Sequence, residues 1–388
     1  MGHNDASDGL SDHPQAVYTP PPGLDAALDY LPLIEVGAGG PKRIGYLTNY
    51  SFHIWYQILI EIIRRRAAQY GASVTVLDAE LSVERQIQQA QQLFGEVDAL
   101  ILTPAATEGL ESIVERGADR KIPVVVEANP VKGMKTLVAI CDYDAGFALG
   151  MWVGQHIRMT TGKPLKVLDM GLPTLRPCLL RSEGFIDGLQ TIQRDAAFVK
   201  RLNGEGSKII AKRLAAPVFA THEVDVIFAM DDETGQGALE AYLDAGRDPN
   251  QITLATFGLA GNHEKDLLTA GGPLKVGAAM FPEYVAARCV DSVIRIHAGH
   301  EVHRRDVIPA IPVTAEILPQ YYPKIGGVWT PDLTAVASLH TSVSCRRRSA
   351  RSPGLLTITR PQQKLSGALS LQHVEFHFRQ ATQPHSTI

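Results

Sequence analysis

"VDALILTPAATEGLESIVERGADRKIPVVVEANP", residues 97–130, reads as a strand, a helix and a second strand in direct succession. "DALILTP" (98–104) is an apolar run too short for a helix, the mark of a strand covered on both faces. Thr107 is expected to start a helix to about Arg116, and "IPVVVEA" (122–128) is the next strand. A strand that returns through a helix to another strand is the parallel βαβ unit.

The same alternation extends outward. Upstream lie a strand at 43–47, a helix at about 53–70 with Ile54, Ile58 and Ile62 on one stripe, and a strand at 73–77. A helix capped by Ser82 then runs to Phe94. Downstream the pattern predicts helices at 146–158, 182–194, 207–214, 233–245 and 262–270. Strands are expected at 165–169, 224–229, 252–257 and 274–280. Pro282 opens a helix to about His297, and a last strand falls near 307–311. The economical reading is two α/β units of similar size, each a parallel sheet with helices on both faces.

The 388 residues, 45% hydrophobic and 20% charged, suffice for two such cores. A net charge of -4 gives no case for nucleic-acid binding. Four scattered cysteines show no zinc-type spacing, so no metal is expected. GxSxG, HExxH and a Walker loop are absent, so no catalytic residues and no cofactor are assigned. "GAGGP" (37–41) precedes a strand instead of following one and does not read as a phosphate loop. His297, His300 and His303 are interrupted by Gly299 and read as exposed loop residues.

Where nucleotide-binding folds place glycines, after the first strand, this chain has "TNYSFHIWYQ" (48–57). Rings and amides suit a small polyhydroxylated ligand, which has hydroxyls to pair and C–H faces to cover. Residues 1–41, rich in Asp, Ser, Pro and Gly, read as a flexible leader without a secretory signal. Residues 329–388 read as a basic, disordered tail; from Thr341 onward they carry seven Arg/Lys against one Glu.

Further segments carry a resemblance: "LLRSEGFIDGL" (179–189), "DVIFAMDDETGQGALEAYLDAG" (225–246) and "TFGLAG" (256–261). With residues 97–130, their order and spacing resemble the type I periplasmic binding proteins, the group that includes ribose-binding protein, over about residues 42–318. The resemblance implies a two-lobed type I fold with a three-segment hinge. Lobe 1 would hold residues 42–141 plus 281–309, and lobe 2 residues 142–280 plus 310–328. Crossings are expected near Glu127–Asp142, Phe257–Met280 and Ile311–Glu316.

By the same resemblance, first-lobe ligand contacts are Asn49, His53, Trp55, Tyr56, Thr103, Glu127, Asn129 and Cys141. Second-lobe contacts are Arg181, Asp231, Phe257 and Met280. Trp55 is read as lying off the buried stripe of its helix. Asp232 is read as an N-cap, leaving Asp231 for the ligand, and Arg181 as also bracing its lobe against an acidic neighbour. Three positions depart from a ribose-like set: Leu179 and Asn129 stand where arginines are usual, and Gly258 where an acid is usual.

The implied function is capture of a sugar or polyol for ABC-type uptake, with a transporter permease as partner. A ligand-sensing receptor subunit, similar to the autoinducer-2 binding proteins and signalling through a membrane sensor, is the alternative, and an enzyme on this fold a third reading. The resemblance implies the periplasm or cell envelope; with no signal peptide in the chain as written, the cytoplasm stays open.

Overall fold

The computed structural model describes residues 17–35, 40–157 and 164–340. The reading of the tail from Thr341 onward lies outside these residues.

The first sheet is wholly parallel, in the order β11-β5-β4-β3-β1-β2. Its strands are β1 (Arg43–Thr48), β2 (Ser73–Asp78), β3 (Ala99–Leu102), β4 (Val124–Glu127), β5 (Thr136–Ile140) and β11 (Arg305–Ile308). Helices α2 (Ile54–Gln69), α3 (Val83–Leu93), α4 (Glu111–Asp119) and α10 (Pro282–His297) belong to this lobe. The second sheet has the order β12-β10-β9-β8-β6-β7. It contains β6 (Lys166–Gly171), β7 (Ala197–Asn203), β8 (Val226–Ala229), β9 (Thr253–Gly258), β10 (Leu274–Ala279) and β12 (Ile311–Val313). Only β12 runs antiparallel, against β10. Its helices are α5 (Asp142–His156), α6 (Arg176–Ile192), α7 (Lys208–Thr221), α8 (Asp232–Asp244) and α9 (Asn262–Thr269).

Each central strand is buried along its length, as doubly covered strands must be. The chain passes between sheets after β5, after β10 and between β11 and β12. The crossings therefore fall at Cys141, at Met280–Phe281 and at Pro309–Ala310; Phe257 is not part of one, because β9 and β10 share a sheet.

A fourth passage follows. The hairpin β13 (Lys324–Ile325) and β14 (Val328–Trp329) sits against α9, with Lys324 Nζ and Trp329 Nε1 both bonded to Asp266 Oδ1. The chain then returns to the first lobe as α11 (Leu333–His340). His340 Nε2 reaches Asp306 Oδ1 at 2.9 Å, and Leu333 and Val336 are buried. Residues 329–340 are thus packed structure and not the start of a disordered tail.

The leader is also corrected in its described part. α1 (Leu24–Asp29) buries Leu24 and Leu28, and Thr330 Oγ1 donates to Pro22 O. The reason lies in Arg66, fully buried on α2. It makes two bonds to Asp291 of α10, at 2.9 and 3.2 Å, and spends its remaining donors on Leu31 O and Pro32 O, among others. A buried guanidinium needs every such acceptor, and the leader's backbone supplies two.

α5 and α6 pack so closely that each needs glycines. A Cβ at Gly146 or Gly150 would strike the backbone of α6 at Arg181 and Phe185. One at Gly184 or Gly188 would strike α5 at Tyr143 and Phe147. This close pairing sets the first turn of α5 against the second turn of α6, Asp142 next to Arg181.

Candidate functional site

The candidate groups collect at the carboxyl ends of strands in both sheets, where open α/β sheets bind ligands. Asn49 follows β1 and is buried; its Nδ2 donates to Tyr56 Oη at 3.1 Å and to Pro104 O at 3.4 Å. Its Oδ1 and that of the buried Asn129 have no donor among the described residues. Glu127, at the end of β4, is 2% exposed. Thr103 Oγ1 donates to it at 2.9 Å and lies 3.1 Å from Tyr46 Oη. Burial pushes the Glu127 carboxyl up to about 7, the Thr103 bond only partly opposing it. Thr103 is wholly buried, so the structure gives it the task of holding Glu127. Burial, then the Glu127 charge, also raises the Tyr56 phenol.

His53 is the N-cap of α2: its Nδ1 accepts from the Trp55 N–H at 3.1 Å. That bond leaves the ring proton on Nε2, which lies 2.7 Å from Glu233 Oε2 on the second lobe. Burial disfavours a charged imidazole, yet the Glu233 carboxylate outweighs it and pushes the pKa up. The cap resists that second proton, which has room only at Nδ1. Glu233 is correspondingly held low, His53 outweighing burial.

Trp55 and Tyr56 are half-buried in the first turn of α2. The buried stripe is broader than the sequence suggests, running through Ile58, Leu59, Ile62, Ile63, Arg66 and Ala67. Trp55 stands one turn above Leu59, at the open end of that stripe and not off it.

On the second lobe, Arg181 Nε bonds Asp142 Oδ1 at 2.9 Å and Nη1 bonds Met230 O at 3.0 Å. Its guanidinium lies over the Phe257 ring at 4.9 Å. Phe257 is therefore fully buried beneath Arg181, and Met280 is buried at the second crossing. Cys141 occupies the N-cap position of α5 at the first crossing.

The N-cap falls to Asp231 and not, as the sequence suggests, to Asp232. Asp231 is the N-cap of α8, its Oδ1 accepting from Thr234 N at 2.8 Å and Thr234 Oγ1 at 2.7 Å. Asp232 is buried, taking bonds from Thr256 Oγ1 at 2.9 Å and Ala260 N at 3.3 Å. This accounts for Gly258: its φ is +126°, and a Cβ there would collide with the Asp232 carboxylate. Burial raises the proton affinity of Asp231, with the Glu233 charge adding to it and His53 opposing it. Glu233 itself carried no signal in the sequence, because its importance comes from a partner 180 positions away on another lobe.

Atoms of His53, Asp231 and Glu233 lie within 4.8 Å of one another. A metal at Nε2 needs that nitrogen bare and the proton on Nδ1, which would end the N-cap bond. The ring is set as a donor, not as a ligand. Ala128 and Leu259, directly after β4 and β9, and Phe281, two residues after β10, all have positive φ near +50 to +60°. Each costs about 1 kcal/mol, and such strain concentrates where backbone is aimed for function. A cavity of about 90 Å³ lined by Leu239, Leu254, Leu267 and Leu274 holds none of the candidate residues.

Two sheets joined by repeated crossings, with polar groups at facing strand ends, define a two-lobed solute-binding protein. Residues 44–301 match the periplasmic binding protein domain family, and the chain belongs to it. It is similar to a putative rhizopine-binding protein of Rhizobium meliloti, 24% identical over 66% of this chain and 84% of that one. It is also similar to the ribose import binding protein of Bacillus subtilis, 25% identical over 62% of this chain and 77% of that one. A solute-binding protein from Bacillus halodurans solved with myo-inositol superposes with a TM-score of 0.64 at 20% identity, covering 72% of this chain and 96% of the other. The chain is thus a binding protein and not an enzyme, with the α/β two-lobed fold that its sequence resembles.

Proposed function

We propose that the protein captures a small sugar or polyol between its lobes and delivers it to an import permease of the ABC type. The observation that carries the finer reading is the charge balance of the cleft. Arg181 is matched by Asp142, and His53 by Glu233. Glu127 and Asp231 have no cationic partner within 4 Å among the described residues. A sugar acid or sugar phosphate would meet these carboxylates, while Arg181 is already paired with Asp142. A neutral polyol donates hydroxyls to those same oxygens, and one bearing an amine adds a compensating charge. The lobes close on such a solute because it contacts both walls at once.

Titration calorimetry against neutral sugars, cyclic and linear polyols, their amino derivatives and sugar acids tests this. Binding of a neutral or amino polyol in the micromolar range or tighter is expected. Preference for a sugar acid would overturn the charge argument. A permease that fails to respond to the loaded protein in reconstituted vesicles would remove the transport role.

A further inference from the structure

We infer that Glu233 is a closure residue, whose 2.7 Å ion-pair contact with His53 holds the two lobes together across the cleft before any solute is bound. Among the described residues, this is the one ion-pair contact between groups on opposite cleft walls; every other such pair stays within a lobe or fixes the terminal segments. Tyr322 Oη also bonds Glu283, but beside the second crossing, where it braces the hinge. Hinge motion separates groups far from the crossings most. A bond at the cleft therefore weights the open–closed balance directly.

The ordinary reading of Glu233 is an acid in the first turn of α8, favoured there by the helix N-terminus. That reading explains neither the 2.7 Å approach to His53 nor the ring's orientation. The N-cap bond at Nδ1 fixes the ring with Nε2 toward the other lobe, so the residue that starts α2 also presents that nitrogen to Glu233. Both side chains are partly shielded, at 22% and 31% exposure, so water competes incompletely. Asp231 lies within 4.8 Å of the same ring, and Tyr56 meets it edge-on at 5.9 Å from its own helix. The Glu233 carboxylate is the leading charge that favours a protonated ring at this position.

This inference rests on the closing cleft and not on the identity of the solute, so its test uses the full-length protein without any solute. His53→Asn keeps a good N-cap but is too short to span the cleft. Glu233→Ala removes the acceptor while leaving Asp231 to cap α8. Small-angle X-ray scattering of the wild type, both variants and the double variant is expected to show a larger radius of gyration in all three variants. The double variant should open no further than either single one, with the closed-to-open ratio lowered roughly two- to fivefold, as for a partly shielded ion pair. Circular dichroism checks the fold; if Glu233→Ala does not fold, Glu233→Gln, which removes only the charge, takes its place with a smaller shift expected. An unchanged radius in folded single variants, or opening in one but not the other, would overturn the inference.

Discussion

The two walls of the cleft handle buried polarity in opposite ways. On the first lobe, Tyr46, Thr103 and Glu127 form a chain of hydroxyls ending in a carboxyl whose burial favours the proton. On the second, Asp142 and Arg181 form a shielded ion pair above Phe257. A wall of hydroxyls and amides reads shape and hydrogen bonds, while a wall of fixed charges sets which charge a solute can carry. The difference teaches that the selectivity of this cleft is divided between its halves, and each half can be disturbed separately.

The largest effect is expected on the charged wall. Arg181→Ala leaves Asp142 and the Met230 carbonyl without their donor, and uncovers Phe257. Urea denaturation should show a loss of about 3 to 5 kcal/mol, the usual cost of orphaning one half of a buried pair. A loss below about 1 kcal/mol would mean that water already reaches the pair.

On the first wall, Trp55→Ala should weaken binding of the true solute by roughly 2 to 4 kcal/mol while leaving the fold intact, as read by calorimetry. Unchanged affinity would place the ring outside the site and leave the amides to carry that wall.

Glu127→Gln distinguishes the walls by pH. The folded protein holds this proton more tightly than the unfolded chain does, whose carboxyl has its usual value near 4.5. Its contribution is therefore full below about pH 4.5 and is lost as the pH rises through about 7. The glutamine removes that loss, so melting curves should show the variant gaining on the wild type by on the order of 2 kcal/mol between pH 4 and pH 8. A constant difference across that range would show that Glu127 is ionised in both states.

The smallest change in stability is expected for Asp231→Asn, because asparagine caps a helix about as well as aspartate. Its melting temperature should hold within the equivalent of about 0.5 kcal/mol. Affinity for an amino polyol should fall while that for the matching neutral polyol moves less. Equal losses for both would assign Asp231 a hydrogen-bonding role alone.

The sequence carried most of the architecture because doubly covered strands are apolar throughout, and such runs are hard to mistake. It failed where local signals were weak or competed. β7 was missed as an edge strand whose half-exposed pattern shows no clean alternation. β5 was passed over as a short apolar run beside a long helix, which itself starts at Asp142 and not at 146. α6 begins at Arg176, where Pro177 fits the first turn, six residues before the sequence reading placed it. α7 continues past Pro217 to Thr221, and α4 waits until Glu111 because Gly109 makes a left-handed turn.

The site was legible as a set of polar groups at strand ends, but not as a network. Whether Asp231 or Asp232 caps a helix depends on which carboxylate the β9 end needs, and that appears only when Thr256 and Ala260 are in place. The packed parts of the leader and tail were illegible for a related reason. Their apolar residues are few, and they are ordered by Arg66 and Asp306, partners that periodicity does not reveal.

The return of α11 to the first lobe gives the molecule a fixed half and a moving half. α1 rests against α2, and α11 against α10 and β11, so the described chain enters and leaves on the same side of the hinge. A surface, tag or fusion attached next to Val17 or His340 would hold the first lobe still while the second swings. For a sensor, these positions are then the place for an anchor, and a reporter of motion belongs on the outer face of α7 or α8, where the travel is carried.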